Sequence, residues 1–246
     1  MKAIHYYFIF LLLIVSGCSS GYISSSKNVP LFEKKGEAQI EAGVSTNSIF
    51  LTGNYAFSEK YALIANGSMS YYYIFGPPNR SCGGELSFFC LDAVPHRSLE
   101  AGIGRYNLLP SSKRRLEVFA GTGYGAAHSF WNYQKANYFQ GFIQVNTGKR
   151  YKQVELGWSL RTAYSGFYSQ NRRYRCFSGT CGYFIEHDNF QVFHLEPLFV
   201  FRTGGQRLKV SLRSGFNLAF LLSSPTSGLD TNYTILHFST GLSYRF

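Results

Sequence analysis

Cysteines, carboxylates, histidines and guanidiniums are the groups in this 246-residue chain that could do chemistry. Cys82 and Cys90 stand close together in sequence, and so do Cys176 and Cys181. In an exported chain, neighbouring thiols of this kind oxidise to disulfides. Four cysteines allow three connectivities, and proximity favours Cys82–Cys90 with Cys176–Cys181. Zinc is the other chemistry such thiols support. These gaps are not the paired two-residue spacings of zinc sites, and no His pair completes them, so no metal and no cofactor is expected. A second set comprises Glu41, Glu100, Glu117, Glu155 and Glu196 with Arg161, Lys209, Arg213, Arg245, His194 and His237. Together these can form ion pairs or line a polar passage. Acid–His combinations suited to hydrolysis occur at Glu186-His187-Asp188 and at Asp92 with His96, and His237 shares a strand face with Ser239. The run Asn171-Arg172-Arg173-Tyr174-Arg175 is basic and aromatic and can hold anions through charge-assisted hydrogen bonds.

The elements that position these groups are strands. From Val154 to Tyr168 the chain alternates: Val154, Leu156, Trp158, Leu160, Thr162 and Tyr164 fall on one face, Glu155, Gly157, Ser159, Arg161 and Ser165 on the other. The same period of two runs through 208–220 and 236–246, and more weakly through 36–46, 49–58, 61–74, 97–108, 114–130, 137–147 and 189–202. That makes ten strands, with an uncertainty of about two. The ionisable set falls on the face opposite the apolar one. Connections after the second, fourth, sixth and eighth strands are short. Those after the third, fifth, seventh and ninth are longer, at about 75–96, 128–136, 169–188 and 223–233. Pro197 has no N–H to give to a ladder, so a bulge is expected there.

Composition agrees. Nineteen Tyr and 23 Phe accompany 25 Gly, and after the first residues no apolar stretch reaches 18 residues, so no transmembrane helix is expected. A water-soluble sandwich would also alternate, but strand length and aromatic content favour a membrane barrel, whose strands look only half hydrophobic. The formal charge of +11 would suggest nucleic acid in a cytosolic protein; an exported one instead meets phosphate-rich membrane surfaces.

Export is read from the first residues. Lys2 precedes the apolar run Phe8–Val15, followed by Ser16-Gly17-Cys18. Val15-Ser16-Gly17-Cys18 resembles the lipobox of bacterial lipoproteins, which implies that Cys18 becomes the lipidated first residue of the mature chain. Ser19 after it implies release to the outer membrane in that family. The expected organisation is a signal peptide over 1–17, a Ser-rich tether over 18–35 with no assigned structure, and a barrel over 36–246. The last residues alternate strictly and stop on Phe246, resembling the closing strand of outer-membrane barrels. The whole mature chain therefore resembles the small outer-membrane β-barrel proteins of Gram-negative bacteria. The implied fold is all-β, a single up-and-down antiparallel transmembrane barrel with short turns and both termini periplasmic and long loops extracellular. Implied partners are outer-membrane lipids, including lipopolysaccharide, and the barrel-assembly and lipoprotein-sorting machinery. No nucleic-acid partner is expected, and no extracellular ligand is specified.

Three functions follow. The first is a non-enzymatic barrel with a structural or surface-interaction role through disulfide-tied loops, its lumen closed by paired charges. The second is a narrow channel for small solutes. The third, an outer-membrane hydrolase, lacks an assembled site. Outer-membrane proteases of the omptin type pair acids and histidines at the rim, but the adjacent Asp pair of the opposing wall is missing here. His237 and Ser239 resemble the His/Ser pair of lipid A deacylases, but the residues after them do not match and alternation turns both inward. No catalytic residue is assigned.

Overall fold

The computed structural model describes residues 27–46, 48–70, 96–106, 109, 114–128, 135–177, 180–223 and 236–246; for 169–188 only the backbone is described. Expectations that rest on the signal peptide, on Cys18, Cys82 and Cys90, and on Asp92 lie outside those residues.

Eleven strand segments run in chain order: β1 (Ala38–Ser45), β2 (Ser48–Tyr55), β3 (Tyr61–Ser70), β4 (His96–Arg105), β5 (Arg115–His128), β6 (Lys135–Arg150), β7 (Val154–Phe177), β8 (Thr180–Gly204), β9 (Leu208–Phe216), β10 (Leu218–Ser223) and β11 (Leu236–Arg245). Each pairs antiparallel with its sequence neighbour from β1 to β9, and β11 closes the circle by pairing with β1. β9 and β10 are two halves of one barrel strand, since both pair with β8 in the same register, Leu198 opposite Gly215 and Leu195 opposite Leu218. The fold is a closed, ten-stranded, up-and-down barrel.

The interruption between β9 and β10 falls at Asn217, beside the position that faces Pro197. The missing N–H of Pro197 removes a ladder bond without adding a residue, so the expected bulge is instead a break with register preserved. The register shift lies further on, between Leu221 and Ser223.

Two expectations are corrected by the backbone. The segment 169–188 is no loop: β7 and β8 continue as a paired hairpin to Phe177 opposite Thr180. The partners on either side stop earlier, β6 with Lys135 opposite Gln170 and β10 with Ser223 opposite Gln191. From Asn171–Glu186 outward, β7 and β8 pair only with each other among the described residues. Seven such pairs at about 3.3 Å each project roughly 20 Å. The tether expected over 18–35 is described from Lys27 on, and there it is no solvated linker. Residues 27–32 are buried, while 33–36 return to the surface at the end of the barrel that carries the short turns.

Burial is inverted relative to a water-soluble protein. Leu51, Leu99, Phe139 and Trp158 are 58%, 69%, 59% and 59% exposed, whereas Glu41, Arg161 and Glu196 are at 0%. An apolar outer surface around a polar interior is the arrangement that hydrocarbon demands, and the β1–β11 and β8–β9 pairings close the sheet on itself. The fold is a transmembrane β-barrel. Replacing the outward-facing Leu160 with Arg is expected to cost about 2–4 kcal/mol in reversible unfolding from lipid vesicles, because a cation would then face acyl chains. A loss below about 1 kcal/mol would place Leu160 outside the hydrocarbon.

Candidate functional site: the lumen and its N-terminal occupant

Strand alternation turns one residue in two into the lumen, and every member of the ionisable set proposed from the sequence is buried there: Glu41, Glu100, Glu117, Glu155, Arg161, His194, Glu196, Lys209, Arg213, His237 and Arg245. Seven of them, Glu41, Glu100, Glu155, Arg161, Glu196, Arg213 and Arg245, belong to two ion-paired groups.

In the first, Arg161 on β7 donates to both carboxylate oxygens of Glu100 on β4, at 2.7 and 2.9 Å. Such a bidentate fork is the strongest geometry open to this pair. Gln140 donates to Glu100 at 2.5 Å and Asn66 at 3.3 Å. The guanidinium also lies 4.1 Å from the centroid of the Phe142 ring and 3.5 Å from Glu196. Glu196 in turn receives the ammonium of Lys27 at 3.4 Å.

The second group sits nearer the short turns. Glu41 on β1 forms an ion pair with Arg213 at 2.6 Å and accepts from Arg202 at 3.2 Å and from the hydroxyl of Ser211. Glu155 meets Arg202 at 3.4 Å, Arg245 at 3.3 Å and Arg150 at 3.4 Å. Glu37, just before β1, is clasped by Arg150 at 2.7 Å and Arg245 at 2.8 Å, and accepts the Glu33 N–H at 2.8 Å. Burial pushes the Glu37 carboxyl up, but Arg245 and Arg150 outweigh it and hold the group below the usual carboxylate range.

Residues 27–32 thread through both groups. Arg213 donates to the Lys27 carbonyl at 2.7 Å, Gln144 to that of Asn28 at 2.5 Å, and Arg202 to that of Val29 at 2.8 Å. Arg245 donates to the Pro30 carbonyl at 2.9 Å and Arg150 to that of Leu31 at 3.2 Å. The Phe32 N–H is given to Glu117 at 2.6 Å, so that carboxylate serves the occupant rather than a cation. Side chains fill the remaining space. Val29 and Leu31 pack on Leu198 and Val200, and Phe32 joins Phe119, Phe142, Ile64 and Tyr106. Gly157 makes room, since a Cβ there would stand 2.9 Å from Val29 Cγ1. Leu31 takes φ +54°, a region sparsely populated by residues other than glycine, which persists only where surroundings over-determine the backbone.

The remaining assigned groups form no hydrolytic constellation among the described residues. Lys209 gives its ammonium to the Lys152 carbonyl at 3.3 Å. His237 Nε2 and Ser239 Oγ have no hydrogen-bond partner among the described residues, so they do not form a pair with each other. His96 Nε2 lies 3.2 Å from Ser68 Oγ, but among the described residues Nδ1 has no hydrogen-bond partner and no carboxylate orients the ring as a hydrolytic site requires. Glu186, His187 and Asp188 face Asn171, Gln170 and Ser169 in the backbone register of the hairpin. Cys176 stands directly opposite Cys181.

Sequence reasoning missed Arg202, although it shares the inward parity of His194 and Glu196 on β8. It also missed Glu37, Arg150, Gln144 and the occupant itself. The only signal for the occupant was the short run Val29-Pro30-Leu31-Phe32 between serines and lysines.

No protein-family model matches the chain, and no curated protein matches it. Among solved structures, it is similar to the outer membrane protease OmpT of Escherichia coli, at 11% identity over 93% of this chain and 100% of that one, with a TM-score of 0.47. It is also similar to the KdgM porin in complex with disordered oligogalacturonate, at 7% identity over 85% and 99%, TM-score 0.38. A third is the N-terminal β-barrel domain of Pseudomonas aeruginosa OprF, at 9% identity over 87% and 100%, TM-score 0.29. These outer-membrane proteins differ in role, and at such values none assigns an activity to this chain.

The energetic weight of the two kinds of ion pair can be compared directly. Glu41→Gln leaves two buried guanidiniums short of a counter-charge and is expected to cost about 3–5 kcal/mol. Glu33→Gln, which breaks the exposed pair with Arg115 at 3.3 Å, is expected to cost less than about 1 kcal/mol. Equilibrium unfolding in detergent micelles measures both, and equal losses would refute the ranking.

Proposed function

We propose that this chain is a non-enzymatic outer-membrane lipoprotein, anchored at Cys18, that works as a surface-interaction barrel through its projecting hairpin. The observation that carries the reading is the occupied lumen. From Lys27 to Phe32 the chain fills the interior at the level where a passage would run, and its carbonyls are tied to the wall. With the interior taken up and no hydrolytic constellation among the described residues, the extended β7–β8 arm is the feature left to meet a partner.

In this reading the short turns and Phe246 face the periplasm and the hairpin faces outward. In chain order the described N-terminal residues run from Lys27, beside Glu196 and Arg213 deep in the lumen, to the exposed residues 33–36 at the turn end. The arm carries Arg172, Arg173 and Arg175, whose chemistry suits anionic lipid headgroups such as those of lipopolysaccharide. The register that sets Cys176 opposite Cys181 supports a disulfide near the tip, because directly opposed Cα atoms lie about 4.5–5.5 Å apart. Intact mass with and without reduction before alkylation reads that bond, and two free thiols at 176 and 181 would exclude it. Outer-membrane lipids and the barrel-assembly and lipoprotein-sorting machinery are the partners of biogenesis.

A narrow channel is the second reading. It is favoured by the way the occupant is held, through side-chain donors rather than a strand ladder. Conductance of the folded protein in a planar bilayer separates the two. The occupied lumen predicts silence from the full chain and discrete steps once residues 27–32 are deleted. Steps from the full chain, altered by Arg213→Ala or Glu155→Gln, would make it a channel.

A further inference from the structure

We propose that the lumen is a receptor site for a peptide segment, recognised through its main-chain carbonyls, and that residues 27–32 are its resident occupant. Five consecutive carbonyls, from Lys27 to Leu31, are each taken by a wall side chain: Arg213, Gln144, Arg202, Arg245 and Arg150 in that order. Asn146 adds a second donor to the Asn28 carbonyl at 3.3 Å, and Glu117 takes the Phe32 N–H. Among the described residues, no main-chain bond ties residues 27–32 to a strand, and the first such bond of the segment is Gly36 N–H to the Ala56 carbonyl at 2.7 Å. Buried carbonyls must be met by donors, and a segment built into the sheet would take them from strand N–H groups. This one is read group by group along its backbone.

Carbonyls are common to every peptide, so most of the recognition is indifferent to sequence. Selectivity comes from four places. Glu196 takes the Lys27 ammonium, Asn54 exchanges amide hydrogen bonds with Asn28, Leu198 and Val200 receive Val29 and Leu31, and Phe119 and Tyr106 receive Phe32, with ring centroids of Phe32 and Tyr106 5.4 Å apart. The ligand class is therefore a peptide of about six residues with a cation at its N-terminal side, an amide at its second position and apolar residues at its third, fifth and sixth. Covalent attachment gives the resident segment an effective concentration in the millimolar range, so a free peptide competes only when the segment is removed.

The test deletes residues 27–32 and refolds the barrel with and without a synthetic peptide spanning Lys27–Glu33. The site predicts saturable binding to the folded truncated barrel, measured by fluorescence anisotropy, or a barrel that folds only when the peptide is present. A peptide of reversed sequence is expected to bind at least about tenfold more weakly, as is the peptide carrying Lys27→Met. A peptide with Val29→Ala should lose less than the barrel variant Arg202→Gln does with the unaltered peptide. A folded truncated barrel that ignores the peptide, or an unfolded one that the peptide does not rescue, overturns the proposal. So does equal binding of the forward and reversed sequences. Silence of the full chain in the conductance recording is independent of these outcomes, because a closed lumen needs no capacity to rebind.

Discussion

A carboxylate buried between two guanidiniums is the interaction on which the rest of this molecule depends. Glu41 is fully buried and shared by Arg202 and Arg213, and each of these guanidiniums also holds a main-chain carbonyl of the N-terminal segment. Charges taken out of water cost several kcal/mol each unless paired and hydrogen-bonded. The wall and the occupant therefore satisfy one another. Without the segment, Arg202 and Arg213 lose acceptors for their remaining N–H groups. Without these guanidiniums, the Lys27 and Val29 carbonyls would be buried short of donors.

This mutual dependence explains how so narrow a barrel tolerates so many ionisable groups. A ten-stranded barrel is only slightly wider than the eight-stranded ones that side chains alone can fill. Here the space is divided. Arg161, Glu100 and Glu196 occupy one level, Glu41, Glu155 and Glu37 with their arginines another, and the apolar residues Val29, Leu31 and Phe32 fill the gaps along the wall. The outer face has the opposite requirement and meets it with exposed Leu, Ile, Val and aromatic residues.

The period-two alternation made the barrel legible, because one residue in two must face lipid and the next must not. It also sorted Glu155 from Leu156 and Arg213 from Leu212 without any contact information. Arg202 obeyed the same parity and was passed over because it sits at a strand end beside a turn. Residues 27–32 could not be read this way. They belong to no strand, so no period marks them, and their burial depends on donors from β6, β8, β9 and β11 that only the closed fold brings together. The hairpin beyond Gln170 was hidden for another reason. The run Asn171-Arg172-Arg173-Tyr174-Arg175 carries no apolar alternation and reads as a loop, while the backbone pairing continues through it. Pro197 signalled an irregularity, but a break and a bulge leave the same trace in sequence.

The central claim is that the N-terminal segment lies inside the barrel against β7. A cysteine pair tests it most directly: Val29→Cys with Gly157→Cys, the other cysteines replaced by serine, oxidised in the folded protein and read by mass. Because a Cβ at 157 would lie 2.9 Å from Val29 Cγ1, the account predicts near-complete cross-linking. It predicts none between Val29→Cys and Leu156→Cys, which faces out from the neighbouring position. A Val29→Cys thiol that cross-links to neither partner and reacts freely with a bulky water-soluble maleimide would contradict it.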